Sequence, residues 1–469
     1  MFNVNSADSI IEFAKKLKGK TLRTACNINF DEFKINDKGG YGKTAEKYYF
    51  NYEPNSDTEP DFKEAGLELK CSPLKTLKNG EFRSKERLVL NIINYLKVHE
   101  EDFESSSFWK KNEHLLLVFY LHDRNLNLLD YIIKLVDDWK YPSEDLKIIK
   151  HDWETINQKI KEGKAHELSE GDTFYLGACT KGSTALKSFR DQPFSKEKAK
   201  QRAYSLKQGY VNHIIANIAQ EETAVYGKII ERPEVLDLVQ SIEEIVISKF
   251  QPFYGKSAEE IAEKFDLHFN PKAKNYFASI TNAVLKAILG IEQNKTIEEF
   301  EKADIQVKTI GVEKNNRIEQ SVSFPAFDFI QIYNESWRES ELKDLTEKKF
   351  LFLFFKNNGN EYVFDKVKFW NMPFADRNEV RKVWLKTKKI IQTGKIIKGY
   401  KTDKNGKVSR QLNFPKKTEN NVWHVRPHGQ TALDTKPLPV MEKETKEMSF
   451  TKQCFWMNWD YLRDEIYLK

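Results

Sequence analysis

The chain is poor in the features that announce several common classes of protein. Among its 469 residues there are four cysteines, Cys26, Cys71, Cys179 and Cys454, and no two of them form a C-x-x-C pair. That spacing excludes a disulfide framework and argues against a structural zinc site. No stretch approaches the roughly 18 to 20 consecutive apolar residues needed to cross a bilayer. The first eight residues, Met1 to Asp8, lack the basic start and apolar run of a secretory signal. A reduced, cytoplasmic protein without a membrane partner is therefore expected. An excess of one charge is also lacking: 76 basic and 70 acidic side chains leave a net charge of +6. Such a balance is compatible with a polyanionic partner and does not require one.

What is present is the composition of a folded chain, with 40% hydrophobic, 13% aromatic and 31% charged residues, which excludes general disorder. The length exceeds one ordinary core, so two to four domains are expected. Faint internal repeats narrow this. Gly19-Lys20-Thr21 recurs as Gly255-Lys256-Ser257, and Phe62 to Lys70 recurs as Phe300 to Lys308. His114 to Tyr120 recurs as Lys349 to Phe355, Gly182 to Leu186 as Gly429 to Leu433, and Lys200-Gln201 as Lys452-Gln453. Five matches in one order, with an offset that drifts as loop insertions would make it drift, indicate two copies of one fold. The first copy is expected over residues 1–225 and the second over 238–469. A linker at 226–237 joins them, in the stretch around Glu221 to Pro233.

Within each copy the patterning is mixed. Asp8 to Leu17 and Ser241 to Phe250 carry apolar residues at helical spacing behind an Asp or Ser cap. Thr44 to Phe50 reads as a helix after the Gly39-Gly40 turn. Leu67 to Lys70 alternates like a half-buried strand, and 114–120 and 349–355 are apolar on both sides, like central strands. The fold class is α/β, a mixed sheet flanked by helices.

One constellation bears chemistry. On a strand, residues two apart face the same way, so Glu68 and Lys70 share a face while Leu67 and Leu69 enter the core. Asp61, just upstream, can converge on the same point. Two carboxylates suit Mg²⁺ and leave room on it for water and a phosphate, while the Lys70 ammonium can orient the water and counter developing charge. On these residues alone a solvated Glu-x-Lys pair is the commoner reading, since such pairs are frequent and of little energetic weight.

Longer tracts carry a resemblance. DFKEAGLELKCSPLKTLKNGEFRSKERLVLNIINY, from Asp61 to Tyr95, resembles the core of the MutH and Sau-type family of GATC-specific endonucleases. Ala165 to Gly171, Lys200 to Ala203, His424 to His428 and the two-copy layout are similar to the Sau-type restriction enzymes. The resemblance covers nearly the whole chain. It implies two tandem MutH-like domains of the PD-(D/E)xK nuclease fold, Mg²⁺ dependence and cleavage of double-stranded DNA at GATC. It places Asp61 and Glu68 on the family's metal carboxylates and Lys70 on its catalytic lysine. Glu46 falls on an acidic residue of the preceding helix, and Lys111 on a further lysine near the cut phosphate. For Glu46 a solvated helix glutamate, and for Lys111 a surface pair with Lys110, stay open.

The second copy has Gln306 where the first has Glu68, keeps Lys308, and sets Glu299 opposite Asp61. An amide is a poorer Mg²⁺ ligand than a carboxylate, so this copy is expected not to cut. Arg426, on the turn His424-Val425-Arg426-Pro427-His428, has the fork that reads guanine. The resemblance implies an Arg-Pro-Lys turn that reads the site, from which His428 departs. In the first copy Lys181, Arg202, Ser205 and Lys207 are the candidate base or phosphate contacts, although Lys or Arg beside a turn is also commonly just solvated. The sequence thus predicts a type II restriction endonuclease, monomeric in isolation and pairing on DNA through a second GATC site. The rivals are a mismatch-repair nicking enzyme and a non-cutting GATC-binding regulator.

Overall fold

A computed structural model describes residues 2–26, 40–54, 57–77, 79–123, 125–181, 188–220, 226–231, 234, 236, 241–273, 275–402, 404–406 and 408–469. Gly39 of the expected turn, the Gly182–Leu186 repeat segment and residues 232, 233, 235 and 237 of the expected linker lie outside these residues. By internal contacts the chain divides into two compact units. One comprises Met1–Val246 with Lys286–Ile305, and the other Ile247–Leu285 with Gln306–Lys469.

In the first unit, helix α1 (Ala7–Lys15) starts at Ser6, whose hydroxyl accepts from the Ser9 amide, and buries Ile10, Ile11 and Ala14. The expected helix at 44–50 is an α-turn, Gly40–Thr44, that widens into a π-helical turn, Ala45–Tyr49. Strands β1 (Glu68–Thr76) and β2 (Phe82–Ser84) lead to β3 (Leu88–Ile92), helix α2 (Ser107–Asn112), β4 (His114–Leu121) and β5 (Ile133–Lys140). Helix α3 (Ser143–Lys161), β6 (Leu176–Thr180), β7 (Arg202–Leu206) and helix α4 (Gln208–Ala219) follow. The main sheet has the order β2-β1-β4-β5, and a smaller one the order β3-β7-β6. Leu115 to Phe119 of β4 are fully buried, as a strand covered on both faces must be, and each such side chain contributes roughly 1.5–3 kcal/mol. The pairing of β1 with β4 is parallel and that of β4 with β5 antiparallel.

The stretch 286–305 packs within this first unit. Gly209 of α4 permits the approach, because a Cβ there would lie 2.0 Å from the Glu301 carbonyl oxygen. The Lys302 ammonium is buried between Asp145, at 2.8 and 3.0 Å, and Glu298 at 2.7 Å.

The second unit repeats the plan. Helix α5 (Ile242–Phe250) leads into it, and β8 (Gln306–Val312), β9 (Val322–Ala326), β10 (Lys349–Asn357) and β11 (Tyr362–Asn371) precede helix α6 (Phe374–Thr393). Strands β12 (Trp423–Pro427) and β13 (Gln453–Met457) follow. The sheet orders are β8-β10-β11 and β9-β13-β12, matching β1-β4-β5 and β3-β7-β6. Local detail matches as well. The Gly19 amide donates to Ile133 O and the Ile133 amide returns to Lys20 O; Gly255, Phe364 and Lys256 make the same reciprocal pair. Both glycines have positive φ, +82° and +83°, which their missing Cβ makes inexpensive. The antiparallel ladder slips at Phe119/Tyr120 between β4 and β5 and at Phe354/Phe355 between β10 and β11, positions 235 apart by subtraction. The α/β class with helices flanking mixed sheets is the architecture found.

One carboxylate fixes the small sheet to α3. Fully buried Asp152 accepts the amides of Phe174, Tyr175 and Leu176 at 2.8, 2.6 and 2.9 Å, and it faces the Lys207 ammonium. Removing it strands three amides and one charge in the interior. Asp152→Ala is expected to cost roughly 3–5 kcal/mol, read as a lowered urea midpoint.

Candidate active site

The site forms where β1 begins. Phe62 bridges to Leu67 across a 3₁₀ turn, Lys63–Ala65, closed by Gly66 at φ +62°. Both Phe62 and Leu67 are buried in the core of the first unit. That clip folds Asp61 back beside the strand. Its backbone amide donates to Glu68 Oε2 at 3.0 Å, and its Oδ2 accepts the Leu69 amide at 3.0 Å. Leu67 and Leu69 point into the core, while Glu68 is only 2% exposed. Lys70 Nζ reaches Glu68 Oε1 at 2.6 Å and the Leu90 carbonyl at 3.2 Å. Lys111 Nζ stands 3.5 Å from Glu68 Oε2 and donates to the carbonyls of Asp57 and Glu59 at 2.9 and 2.8 Å. Asp61, Glu68, Lys70 and Lys111 are thus one cluster.

Burial, then the neighbouring Glu68 and Glu46 charges, push the Asp61 carboxyl up to about 7, against the pull of Lys70 and Lys111. Glu46 is raised for the same reasons, burial first and Glu68 second. It therefore feels the cluster's field. Among the described residues no three His, Cys, Asp or Glu side chains converge as a metal group, so the arrangement is a carboxylate pair with a third acid alongside. Asp61 Oδ2 and both Glu68 oxygens are engaged, while Oδ1 of Asp61 makes no hydrogen bond among the described residues. A free carboxylate oxygen beside a second carboxylate, in a site that resists holding both charges, fits a divalent cation.

Two supporting groups have no signature in the sequence. One is the Leu90 carbonyl. The other is Asn112, fully buried, whose amide donates to Asn91 Oδ1 at 3.0 Å and to Phe108 O at 2.8 Å. It ties the end of α2, next to Lys111, to β3, next to Leu90, and so fixes the anchors of both lysines together.

The remaining candidates are dispersed. Lys181 is exposed, with its amide bound to Gln201 O. Arg202, Ser205 and Lys207 lie in the interior, at 2%, 0% and 5% exposure. The Arg202 guanidinium donates to Ala178 O at 2.5 Å and the Lys207 ammonium to Thr173 O. As folded, these three front no surface: β7 is the middle strand of its sheet, all five of its residues are buried, and Lys207 follows directly. In the second unit Arg426 and His428 are exposed. Both lie against Trp456, the guanidinium 4.8 Å from its ring centroid and the imidazole ring 6.0 Å away.

The second copy lacks the carboxylate pair. Gln306 and Lys308 face Phe350 and Phe352, the register in which Glu68 and Lys70 face Leu115 and Leu117. Glu299, at the position of Asp61, accepts the amides of Ile229 and Ile230 at 3.0 Å each, within the first unit.

A mixed sheet whose inner strand opens with Glu-x-Lys, with an aspartate clipped back beside it, is the arrangement of the PD-(D/E)xK nuclease class. The comparisons carry this further. The family model described as DNA mismatch repair enzyme MutH matches residues 50–152, a span that contains Asp61, Glu68, Lys70 and Lys111. Over 487 aligned positions the chain is 38% identical to the type II restriction enzyme Sau3AI of Staphylococcus aureus, covering 97% of this chain and 96% of that protein. The chain belongs to this MutH and Sau-type family and is a type II restriction enzyme, a site-specific deoxyribonuclease.

If the cluster is the cutting centre, Glu68→Gln and Lys70→Met each lower the first-order rate of plasmid cleavage at least ~10²-fold. Asn112→Ala, which only loosens the anchors, lowers it roughly 10–100-fold. A cleavage time course checks all three, with the thermal midpoint as the control for folding.

Proposed function

We propose that the first unit cuts double-stranded DNA at GATC with Mg²⁺ held by Asp61 and Glu68, and that the second copy binds a further GATC site without cutting. The observation that carries this reading is that acid pair and lysine converge in one copy and not in the other. Bound there, Mg²⁺ would offset charge on the scissile phosphate and lower the pKa of an attacking water. The chain's own groups do the rest. Glu68 and the Leu90 carbonyl hold the Lys70 ammonium at the mouth of the pair, where it orients the water and counters negative charge on the phosphate. Lys111, braced on two carbonyls, offers a second cation to the same phosphate. Glu46 is placed to take a proton or hold a water at the edge of the site. The exposed Lys181 and Arg426 with His428 are the proposed DNA contacts, Arg426 by its fork to guanine. Such an enzyme works in the cytoplasm, on DNA, as a monomer that pairs there.

A chain with one cutting centre breaks one strand per visit, so duplex cleavage needs two molecules or a return. A mismatch-repair nicking role, which the MutH match suggests, fits a single-copy chain better than one aligned over 97% of its length with a restriction enzyme.

The test is unmethylated plasmid with Mg²⁺, wild type against Glu68→Ala, with fragment ends mapped. Ends at GATC from the wild type alone support the reading, and ends elsewhere overturn it. A two-site plasmid is expected to be cut in both strands faster than a one-site plasmid at limiting enzyme, and equal rates defeat the pairing model.

A pH experiment isolates Asp61. Its folded pKa, about 7, lies above the ordinary 3.8, so the metal-free protein loses stability as pH rises from about 4 through 7. Asp61→Asn removes that loss. In EDTA it is expected to raise the thermal midpoint by about 2–4 °C at pH 8, with little effect at pH 4.

A further inference from the structure

Lys308 stands where the first unit has Lys70, but in opposite surroundings. Lys70 is held by Glu68 at 2.6 Å. Lys308 follows Gln306 instead, and its ammonium lies over the Phe324 ring, 4.9 Å from the centroid, with no carboxylate partner among the described residues. Burial pushes it below the ordinary lysine range. A half-buried cation without an anion is costly, and a ring face returns only about 0.5–2 kcal/mol of that. A group kept at such a cost is suited to an anion that arrives later.

The space for it exists. Lys308, Thr309, Gln320, Ser321 and Ser323 line a cavity of about 480 Å³. Gln320 and Ser321 also line a second cavity, of about 570 Å³, with Lys416, Lys417, Arg426 and Trp456. The two meet across one row of the small sheet, where Trp456 of β13 stands between Ser323 of β9 and His424 of β12. Two acids share the walls: Glu313 accepts from Tyr362 and Asn357, and Glu319, which lines both cavities, pairs with Arg317 at 3.7 Å. Beside them the groove sets Lys308, Lys416, Lys417 and Arg426 with hydroxyls and an amide.

We infer that Lys308, with the Gln320–Ser323 segment, is a metal-independent phosphate site. It takes a backbone phosphodiester of duplex DNA at the position where the first unit takes the phosphate to be cut. The inference rests on the proposal that the second copy binds DNA, and it adds how: a lysine does in this copy what an acid pair with a cation does in the other. Phosphate contacts of this kind supply affinity and register, not sequence reading.

The experiment uses the full chain in EDTA, so that nothing is cut, with a labelled GATC duplex titrated into wild type, Lys308→Met and Lys308→Arg. Wild type is expected to bind two duplexes per chain. In Lys308→Met the second is weakened about 3–10-fold and its log–log salt dependence falls by about one, while Lys308→Arg restores most of both. Without DNA, Lys308→Met should unfold at or above the wild-type temperature, because a dehydrated charge has been removed. A collapse of its thermal midpoint assigns Lys308 a structural role and overturns the inference. One duplex per wild-type chain sinks the DNA-binding reading of the second copy, and the inference with it. Two duplexes bound identically by wild type and Lys308→Met sink the inference alone. Acylation of the Lys308 amine should be slowed by duplex and not by inorganic phosphate at matched ionic strength. Equal protection by both replaces the DNA site with one for free anions.

Discussion

The parallel pairing of β1 with β4 is the constraint from which the rest of the first unit follows. β4 is buried on both faces, so it cannot shift without exposing five fully buried side chains, and a slip of one residue would turn Glu68 and Lys70 into the core. Pinned by that register, β1 presents Glu68 and Lys70 on one face. The 3₁₀ turn and Gly66 then have only to fold Asp61 back by one bridge. The carboxylate cluster is thus held by hydrophobic packing beneath it and not by its own mutual attraction, which for two acids is repulsive.

Burial first and that repulsion second raise Asp61 to about 7. The pair is one that prefers not to carry both charges, and a divalent ion bound there would resolve the conflict more completely than the two lysines do. The lysines are braced from outside, by the carbonyls of Leu90, Asp57 and Glu59. Their positions therefore do not rest on the acids alone. Such bracing supplies preorganisation, in which groups stand where charge will develop before it develops.

The duplicated copy shows what the scaffold does without the pair. Its strands, ladder slip and glycine turn are the same, yet one Glu-to-Gln difference and the use of Glu299 as a cap for two backbone amides leave Lys308 alone. The same strand register that sets a carboxylate against a lysine in one copy leaves a lysine without an acid in the other, beside a groove that Arg426 and Trp456 line. Divergence here has changed the charge at one strand position while the register of that strand is kept.

Sequence by itself determined the class, the duplication, the central strands and the Asp61, Glu68, Lys70 set. Each of these is written in local terms: strand alternation, a repeated apolar run, an acid pair at fixed spacing. The tertiary structure decided which cations serve the site. Lys111, for which a surface pair with Lys110 stayed open, stands 3.5 Å from Glu68. Arg202, Ser205 and Lys207 went inside because β7 is the middle strand of its sheet, and no local pattern distinguishes a buried arginine that caps a carbonyl from an exposed one that meets a phosphate. Asn112 and the Leu90 carbonyl were invisible for a similar reason. Their role depends on which backbone lies opposite, and only packing across about twenty intervening residues sets that.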